Sequence, residues 1–401
     1  MRFFKIFFVC CLIMPFCFSQ SSTYILKDTT DSNSIVRKVH RMNELDVRTN
    51  RSVANIKAGS TGINIDLSEL KKLPNIIGDA DPFKSLQYMG GISQAGDASA
   101  NMNVRGGNND QNLILLNGCL IQNPTHVLGL FSVFNPDLID QMKYVKSGIP
   151  AEYGGRLSSV VDIKNFSSIP PKTSVDGSVG FISSRLSLKL PLSNKFALYA
   201  SQRASYIGAF VVPMLVKAGI NEKLAQNNFE YSDTNVGFNY SVSKATKLAG
   251  HFYTGSDRIS ITENLKYAID DNKVKWGNRV VGLQLNHLFS DKFSMAHYIN
   301  STEFYLQSDV NWLTNLYSLK SNNSVLSYKT DFIYQLNKHV FKTGLSGSFN
   351  KTLPAVIQSS TSQQSAISTD LYSKNLELAW YARDEWEHRN LLLNIGMRVG
   401  M

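Results

Sequence analysis

Beyond about residue 174 the chain alternates. Leu326, Tyr328, Thr330, Phe332, Tyr334 and Leu336 share one parity and are mostly apolar, while Ser327, Lys329, Asp331 and Gln335 hold the other. Phe341, Thr343, Leu345, Gly347 and Phe349 alternate with Lys342, Gly344, Ser346 and Ser348 in the same way. Val236, Phe238, Tyr240 and Val242 repeat the pattern, as do Val281, Leu283, Leu285 and Phe289. A period of two describes strands with two unlike faces. Repeated over segments of about ten residues, it is the mark of a membrane-spanning β-barrel.

The connections point the same way. Tight polar turns are expected at Ser193-Asn194, Ser243-Lys244, Ser290-Asp291, Asn337-Lys338 and His388-Arg389-Asn390, with longer loops near 210–228, 260–274, 309–323 and 352–374. Soluble sandwiches also alternate, but their loop lengths rarely do so this regularly. One parity break needs an explanation: Val175, Gly177, Val179 and Phe181 are odd, whereas Leu186, Leu188 and Leu190 are even. Either one strand bulges, or two strands meet near Ser183-Ser184. The second option places every long loop on one side and gives about eleven strands rather than ten.

Residues 56–170 read differently, as a small α/β domain. Helix starts are expected at Ser68–Leu73, at Asp81–Leu86 and again at Pro136–Ile139. Asn112–Leu116 is a buried strand ended by the turn pair Asn117-Gly118, and Ser158–Ile163 is another strand. Residues 20–55 are polar and aperiodic, a flexible arm. In residues 1–19, Arg2 and Lys5 precede an apolar run from Ile6 to Phe18, too short to span a bilayer, followed by Ser19. This is a secretory signal peptide. Cys17 as a lipid anchor is disfavoured, because Met14-Pro15-Phe16 lacks small residues.

Composition narrows the function classes. Charged residues make up 18% and the apolar set 43%, which excludes extended disorder, and no later stretch reaches the ~18 apolar residues of a spanning helix. The net charge of +10 invites a nucleic-acid reading, but the cations are scattered and no nucleic-acid partner is expected. Removal of the leader, with Cys10, Cys11 and Cys17, would leave Cys119 alone as a small buried residue. No Gly-x-Ser-x-Gly, Walker, Cys-x-x-Cys or His-Glu-x-x-His motif occurs, and the seven histidines have no metal-ligand spacing. No enzyme activity, cofactor or metal is expected.

Five blocks carry a family resemblance. They are Asn103-Val104-Arg105-Gly106-Gly107, Gln111–Gly118, Asn123–His126, Gly129–Pro136 and Ala151–Val160. In that order they closely resemble the plug of TonB-dependent outer-membrane receptors, over about residues 60–168. The resemblance implies a receptor in the cell outer membrane that imports a scarce nutrient with energy from the TonB–ExbB–ExbD complex. It also implies a plug inside a barrel of about 22 strands, insertion by the barrel-assembly machinery, contact with outer-membrane lipid, and a small-molecule, glycan or peptide ligand. A TonB-contacting segment should lie in the arm. Met42–Thr49, with Glu44, Leu45, Asp46 and Val47 at its centre, is the candidate, although Asp46 and Arg48 depart from the usual apolar run. Such a segment would act by adding a strand to a partner sheet.

Within the plug motif, Gly106, Gly107, Gly154 and Gly155 are expected to supply turns of positive φ. Asn117 stands where the family usually has Asp, with Gly118 completing the turn; Asn135 and Pro136 belong to the same pattern. The resemblance implies that Arg105 and Arg156 pair with carboxylates of the barrel wall, the alternative being salt bridges within the plug. His126 and Tyr153 are read first as loop packing and second as facing ligand.

Alternation continues through Leu391, Leu393, Ile395, Met397, Val399 and Met401. The region 174–401 is therefore expected to be the N-terminal portion of a barrel, truncated and open. Ten or eleven strands close only a narrow barrel, and a plug of about 110 residues, with a radius near 13 Å, would not fit inside it. The alternative to a transporter is a non-transporting truncated product whose plug serves as an interaction module.

Overall fold

A computed structural model describes residues 62–65, 81–86, 91–94, 100–219, 227–265, 268–312, 315–359, 372–388 and 391–401. The expected signal peptide, arm, TonB-contacting segment and Ser68–Leu73 helix lie outside these residues.

Among the described residues the α/β domain has nine short strands: β1 (Ile63–Ile65), β2 (Ile92–Gln94), β3 (Met102–Val104), β4 (Asn112–Leu116), β5 (Cys119–Leu120), β6 (Thr125–His126), β7 (Phe131–Ser132), β8 (Ile139–Val145) and β9 (Ser159–Asn165). A five-residue helix, α1 (Pro82–Leu86), packs beside them. Five strands form one mixed sheet in the order β1-β8-β9-β4-β5, with β4 and β9 parallel. The apolar run of β4 enters the core, where Ile114 and Leu116 meet Met142 and Ile163, and Phe83 stacks on Phe134 at 5.0 Å. Asp81 caps α1, its Oδ1 accepting the Phe83 N–H at 2.9 Å.

At 136–139 the expected helix is absent. Asn135 Oδ1 takes the Asp137 N–H at 3.0 Å and Asn135 O takes the Leu138 N–H at 3.2 Å, so the chain turns once and enters β8. An Asn side chain that captures the backbone two residues on favours a turn over a helix.

Eleven strands follow in one antiparallel sheet in strict sequence order: β10 (Ser174–Val179), β11 (Ser183–Ser193), β12 (Phe196–Ser205), β13 (Asn228–Ser241), β14 (Thr246–Leu265), β15 (Ala268–Ser290), β16 (Phe293–Trp312), β17 (Asn315–Leu336), β18 (His339–Ser359), β19 (Ser373–His388) and β20 (Leu391–Gly400). The parity break resolves as two strands, β10 and β11, joined at 180–182. This is an incomplete membrane barrel: among the described residues β10 and β20 each have one hydrogen-bonded neighbour, and the sheet does not close.

Outward and inward faces follow the sequence parity. Val236, Tyr240, Val281, Leu283, Leu326 and Leu345 are exposed on the outer face, whereas Tyr231, Asp233, Asn235 and Asn239 of β13 are buried against the α/β domain. The short turns at 193–194, 243–244, 290–291 and 337–338 form where expected, while residues 389 and 390 of the one expected at 388–390 lie outside the described residues; Ser193, Ser243 and Ser290 each accept backbone N–H groups two residues on. The long connections differ from expectation. The strands run on through 260–265, 268–274, 309–312 and 315–323, so β14 to β18 are 20 to 23 residues long. At about 3.3 Å per residue such a ladder reaches roughly 70 Å. Backbone pairing continues past the segments whose alternation is plain in the sequence.

Among the described residues, five seams of the wall set a glycine directly beneath an opposing ring that comes within 3 Å of where a Cβ would stand. Tyr199 faces Gly237, Phe238 faces Gly250, His251 faces Gly282, Tyr305 faces Gly277 and Tyr381 faces Gly344. A Cβ on any of these glycines would collide with the opposing side chain.

Candidate functional site

Buried polar side chains gather along the seam between the α/β domain and the inner face of the barrel wall. Much of it is made by side chains of the wall reaching backbone of the domain. Asn278 Nδ2 donates to Asn123 O at 2.7 Å, Asn300 Nδ2 to Gly118 O at 3.1 Å and Asn239 Nδ2 to Phe166 O at 2.7 Å. Arg185 Nε binds Asp137 Oδ2 at 2.7 Å, and Asn135 Nδ2 donates to Ser187 Oγ at 2.9 Å. Pro136, between Asn135 and Asp137, is buried.

Two charged clusters stand out along this seam. In the first, His126 of the domain lies between two wall carboxylates, Nε2 to Asp233 Oδ1 and Nδ1 to Asp257 Oδ2, each at 2.8 Å. Asp233 also receives Arg203 Nε at 2.7 Å and the Tyr253 hydroxyl at 2.8 Å. Arg203 Nη2 donates to Ser132 O at 2.7 Å, and Asp257 Oδ1 accepts the Val127 N–H at 2.8 Å. Tyr231 stacks on His126 at 4.8 Å. The imidazole is 1% exposed. Burial alone would lower its pKa, but the carboxylates of Asp233 and Asp257 override that and raise it to about 9. His126 is thus a buried imidazolium with both N–H groups donated to the wall. Next to it Val127 and Leu128 both have positive φ, 49° and 55°, an uncommon state for bulky residues.

In the second cluster the signs reverse. Glu152 of the domain receives wall cations, Lys342 Nζ at 3.4 Å and Arg383 Nε at 3.2 Å, the latter an ion pair without hydrogen-bond alignment. Burial would raise the Glu152 pKa; Lys342 and Arg383 outweigh it and hold the carboxyl below its ordinary value. Lys342 also pairs with Asp331 at 3.1 Å and Arg383 with Glu385 at 3.5 Å, and the Tyr381 hydroxyl donates to Asp331.

The motif residues fall in mixed places. Asn117 and Gly118 form the β4–β5 turn, with φ of 52° and 82°, and Asn117 Oδ1 takes the Asn165 N–H at 2.8 Å. Gly106 and Gly155 have the expected positive φ, 81° and 78°. Gly107 and Gly154 do not; they serve close approach instead. A Cβ on Gly107 would lie 2.6 Å from Ser158 Oγ, and one on Gly154 2.5 Å from Arg398 Nε. Arg105 and Arg156 are exposed, and among the described residues neither forms an ion pair; Arg156 Nη1 donates to Gly155 O at 2.9 Å. The wall carboxylates of Asp233 and Asp257 are paired with His126 and Arg203. The Tyr153 hydroxyl donates to Asp162 Oδ2 at 3.1 Å beneath the Lys329 ammonium, and burial raises its pKa. Cys119 is buried, with its thiol pKa pushed up by that burial.

Sequence reasoning missed Arg203, Asp233, Asp257, Asp331, Lys342 and Arg383 as site residues. Their inward parity was a usable signal, since charge on a lumen face next to a buried domain needs a partner.

Residues 38–161 match the family model described as TonB-dependent Receptor Plug Domain. No curated protein matches the chain. Among solved structures, the fold is similar to the siderophore receptor PirA from Pseudomonas aeruginosa, at 15% identity and a TM-score of 0.56, covering 85% of this chain and 56% of that one. It is similar to the outer membrane transporter YddB from Escherichia coli, at 11% identity and a TM-score of 0.60, over 85% and 56% of the two chains. The copper transporter OprC gives 12% identity and a TM-score of 0.61, over 85% and 54%. The chain therefore spans just over half the length of the solved structures it matches.

Proposed function

We propose that this chain, a TonB-dependent receptor by its plug domain and its barrel fold, serves energised uptake of a nutrient across the outer membrane. In this reading the arm before the plug, with Glu44, Leu45, Asp46 and Val47, engages TonB of the TonB–ExbB–ExbD complex. The barrel-assembly machinery inserts the wall. The plug must be held firmly at rest and yet be able to rearrange, since it obstructs the path that it regulates. The observation that carries the reading is the His126 cluster. A buried cation clamped between Asp233 and Asp257 adds charge and hydrogen bonds to the apolar contacts that Ala197, Tyr199, Tyr253 and Val280 of the wall make with the plug. Such a contact is strong when aligned and fails once its geometry is lost. Ligand identity among siderophore, metal, glycan or peptide chemistries is set by loops and plug apices, not by this clamp.

The test uses the purified full chain and a TonB C-terminal domain. Binding that is lost when Glu44–Val47 are replaced by a Gly-Ser stretch, together with heat-modifiable electrophoretic migration, supports the reading. A heat-resistant barrel with no TonB binding would defeat it, as would a chain that stays soluble.

A further inference from the structure

The outer face of the wall carries a feature at its short-turn end that plug docking does not use. The four turns closed near Ser193, Ser243, Ser290 and Asn337 each bear a lysine, Lys195, Lys244, Lys292 and Lys338, and all four are exposed. Asp291 is the one acid within those turns. The serines that close three of them fix the backbone, leaving the lysine side chains outside the turn's own hydrogen bonding. Lys338 Nζ reaches His388 Nδ1 at 3.1 Å, joining its turn to the end of β19, and the Gln335 N–H to Lys292 O bond at 2.7 Å brings the Lys292 turn beside them.

Immediately beneath lies a band of outward-facing rings. Phe289 stacks on Phe293 at 5.0 Å, Phe293 on Phe332 at 6.4 Å, and His339 on Phe341 at 5.5 Å. The band is broken by a groove of about 540 Å³ bounded by Phe293, Phe332, Phe341, Ala382, Ile395 and Met397. The groove exists because the row across the strands runs Phe332, Thr343, Ala382, Met397, so two small side chains sit between large ones. The carboxylate at its margin, Asp384, contacts His339 Nδ1 at 2.8 Å through Oδ2.

A cationic rim above an apolar slot matches an amphiphile with a negative head. We propose that this short-turn rim binds an anionic phospholipid of the adjoining leaflet. Its phosphate lies among Lys292, Lys338 and His388, and one acyl chain occupies the groove. Polybasic segments at a membrane surface select anionic lipid through their charge, and aromatic rings sit at the same depth. The inference rests on the sheet crossing a bilayer and not on uptake.

The experiment refolds the full chain into phosphatidylcholine vesicles containing a fixed fraction of brominated phosphatidylglycerol or brominated phosphatidylcholine. Tryptophan quenching then reports the lipid held near Trp386 and Trp380. The wild type should prefer phosphatidylglycerol by about threefold or more, and K292Q/K338Q should lose most of that preference. Ala382→Leu, which fills the groove without altering a charge, should weaken quenching by phosphatidylglycerol while the lysines remain. Equal quenching of the wild type by both lipids would overturn the proposal, and so would a preference that survives in K292Q/K338Q. Quenching by neither lipid would remove the membrane reading along with it.

Discussion

The His126 and Glu152 clusters do the same job with opposite signs and different redundancy. At the first, the plug supplies one cation and the wall supplies two carboxylates, Asp233 and Asp257. Arg203 backs up Asp233, but among the described residues His126 is the one cation paired with Asp257. At the second, the plug supplies an anion to a chain of alternating wall charges, in which Lys342 keeps Asp331 and Arg383 keeps Glu385 whether or not Glu152 is present. The first is a single clamp and the second a ladder with spare rungs. Two buried ion-pair clusters of similar composition can therefore differ widely in what one substitution does, because the cost lies in the partner left behind.

The sharpest way to break this contrast is His126→Leu. It strands the Asp257 carboxylate in a buried site, and the expected loss is about 3–5 kcal/mol, the usual cost of an uncompensated buried charge. The readouts are the thermal midpoint and protease sensitivity of the plug. An unchanged midpoint would show that the clamp carries no net stability. Glu152→Gln should cost less, about 1–2 kcal/mol, because its wall partners remain paired; a loss equal to that of His126→Leu would erase the distinction.

The two clusters should also part in their response to pH. The folded-state pKa of His126 is about 9, above its ordinary 6.5. Its stabilisation is complete below about pH 6.5 and declines as pH rises through 9. The Glu152 pKa is lowered instead, so that contribution persists to alkaline pH and fades only on acidification. The wild-type midpoint should therefore fall between pH 7 and 9.5, and the fall should vanish in His126→Leu.

Much of the wall was legible in the sequence because alternation encodes which face each residue takes. The eleven strands, the paired β10 and β11, and the short turns all follow from parity. The real length of β14 to β18 does not, since beyond the apolar band nothing in the side chains distinguishes a paired strand from a loop. The plug was legible where backbone conformation dictates residue type, as at Asn117-Gly118, Gly106 and Gly155. It misled where tertiary contact dictates it. Gly107 and Gly154 are glycines because Ser158 and Arg398 come close, and Asn135 turns the chain where Pro136 suggested a helix. The site itself was least legible. His126 meets carboxylates more than a hundred residues away in sequence, and the choice among many inward-facing acids is made by register.

Register is also where the glycines facing rings have their consequence. A strict two-residue alternation is degenerate: sliding one strand by two positions returns every side chain to its own face. Strands of 20 residues or more would then have several nearly equivalent alignments. A ring lodged over a hydrogen-only neighbour lifts that degeneracy, because after a slip the same ring would meet a Cβ. Four consecutive seams, from β12 to β16, carry such a key. Asp233 and Asp257, on β13 and β14, lie within that keyed stretch, so the address at which His126 finds both carboxylates is written by rings and glycines elsewhere on the wall.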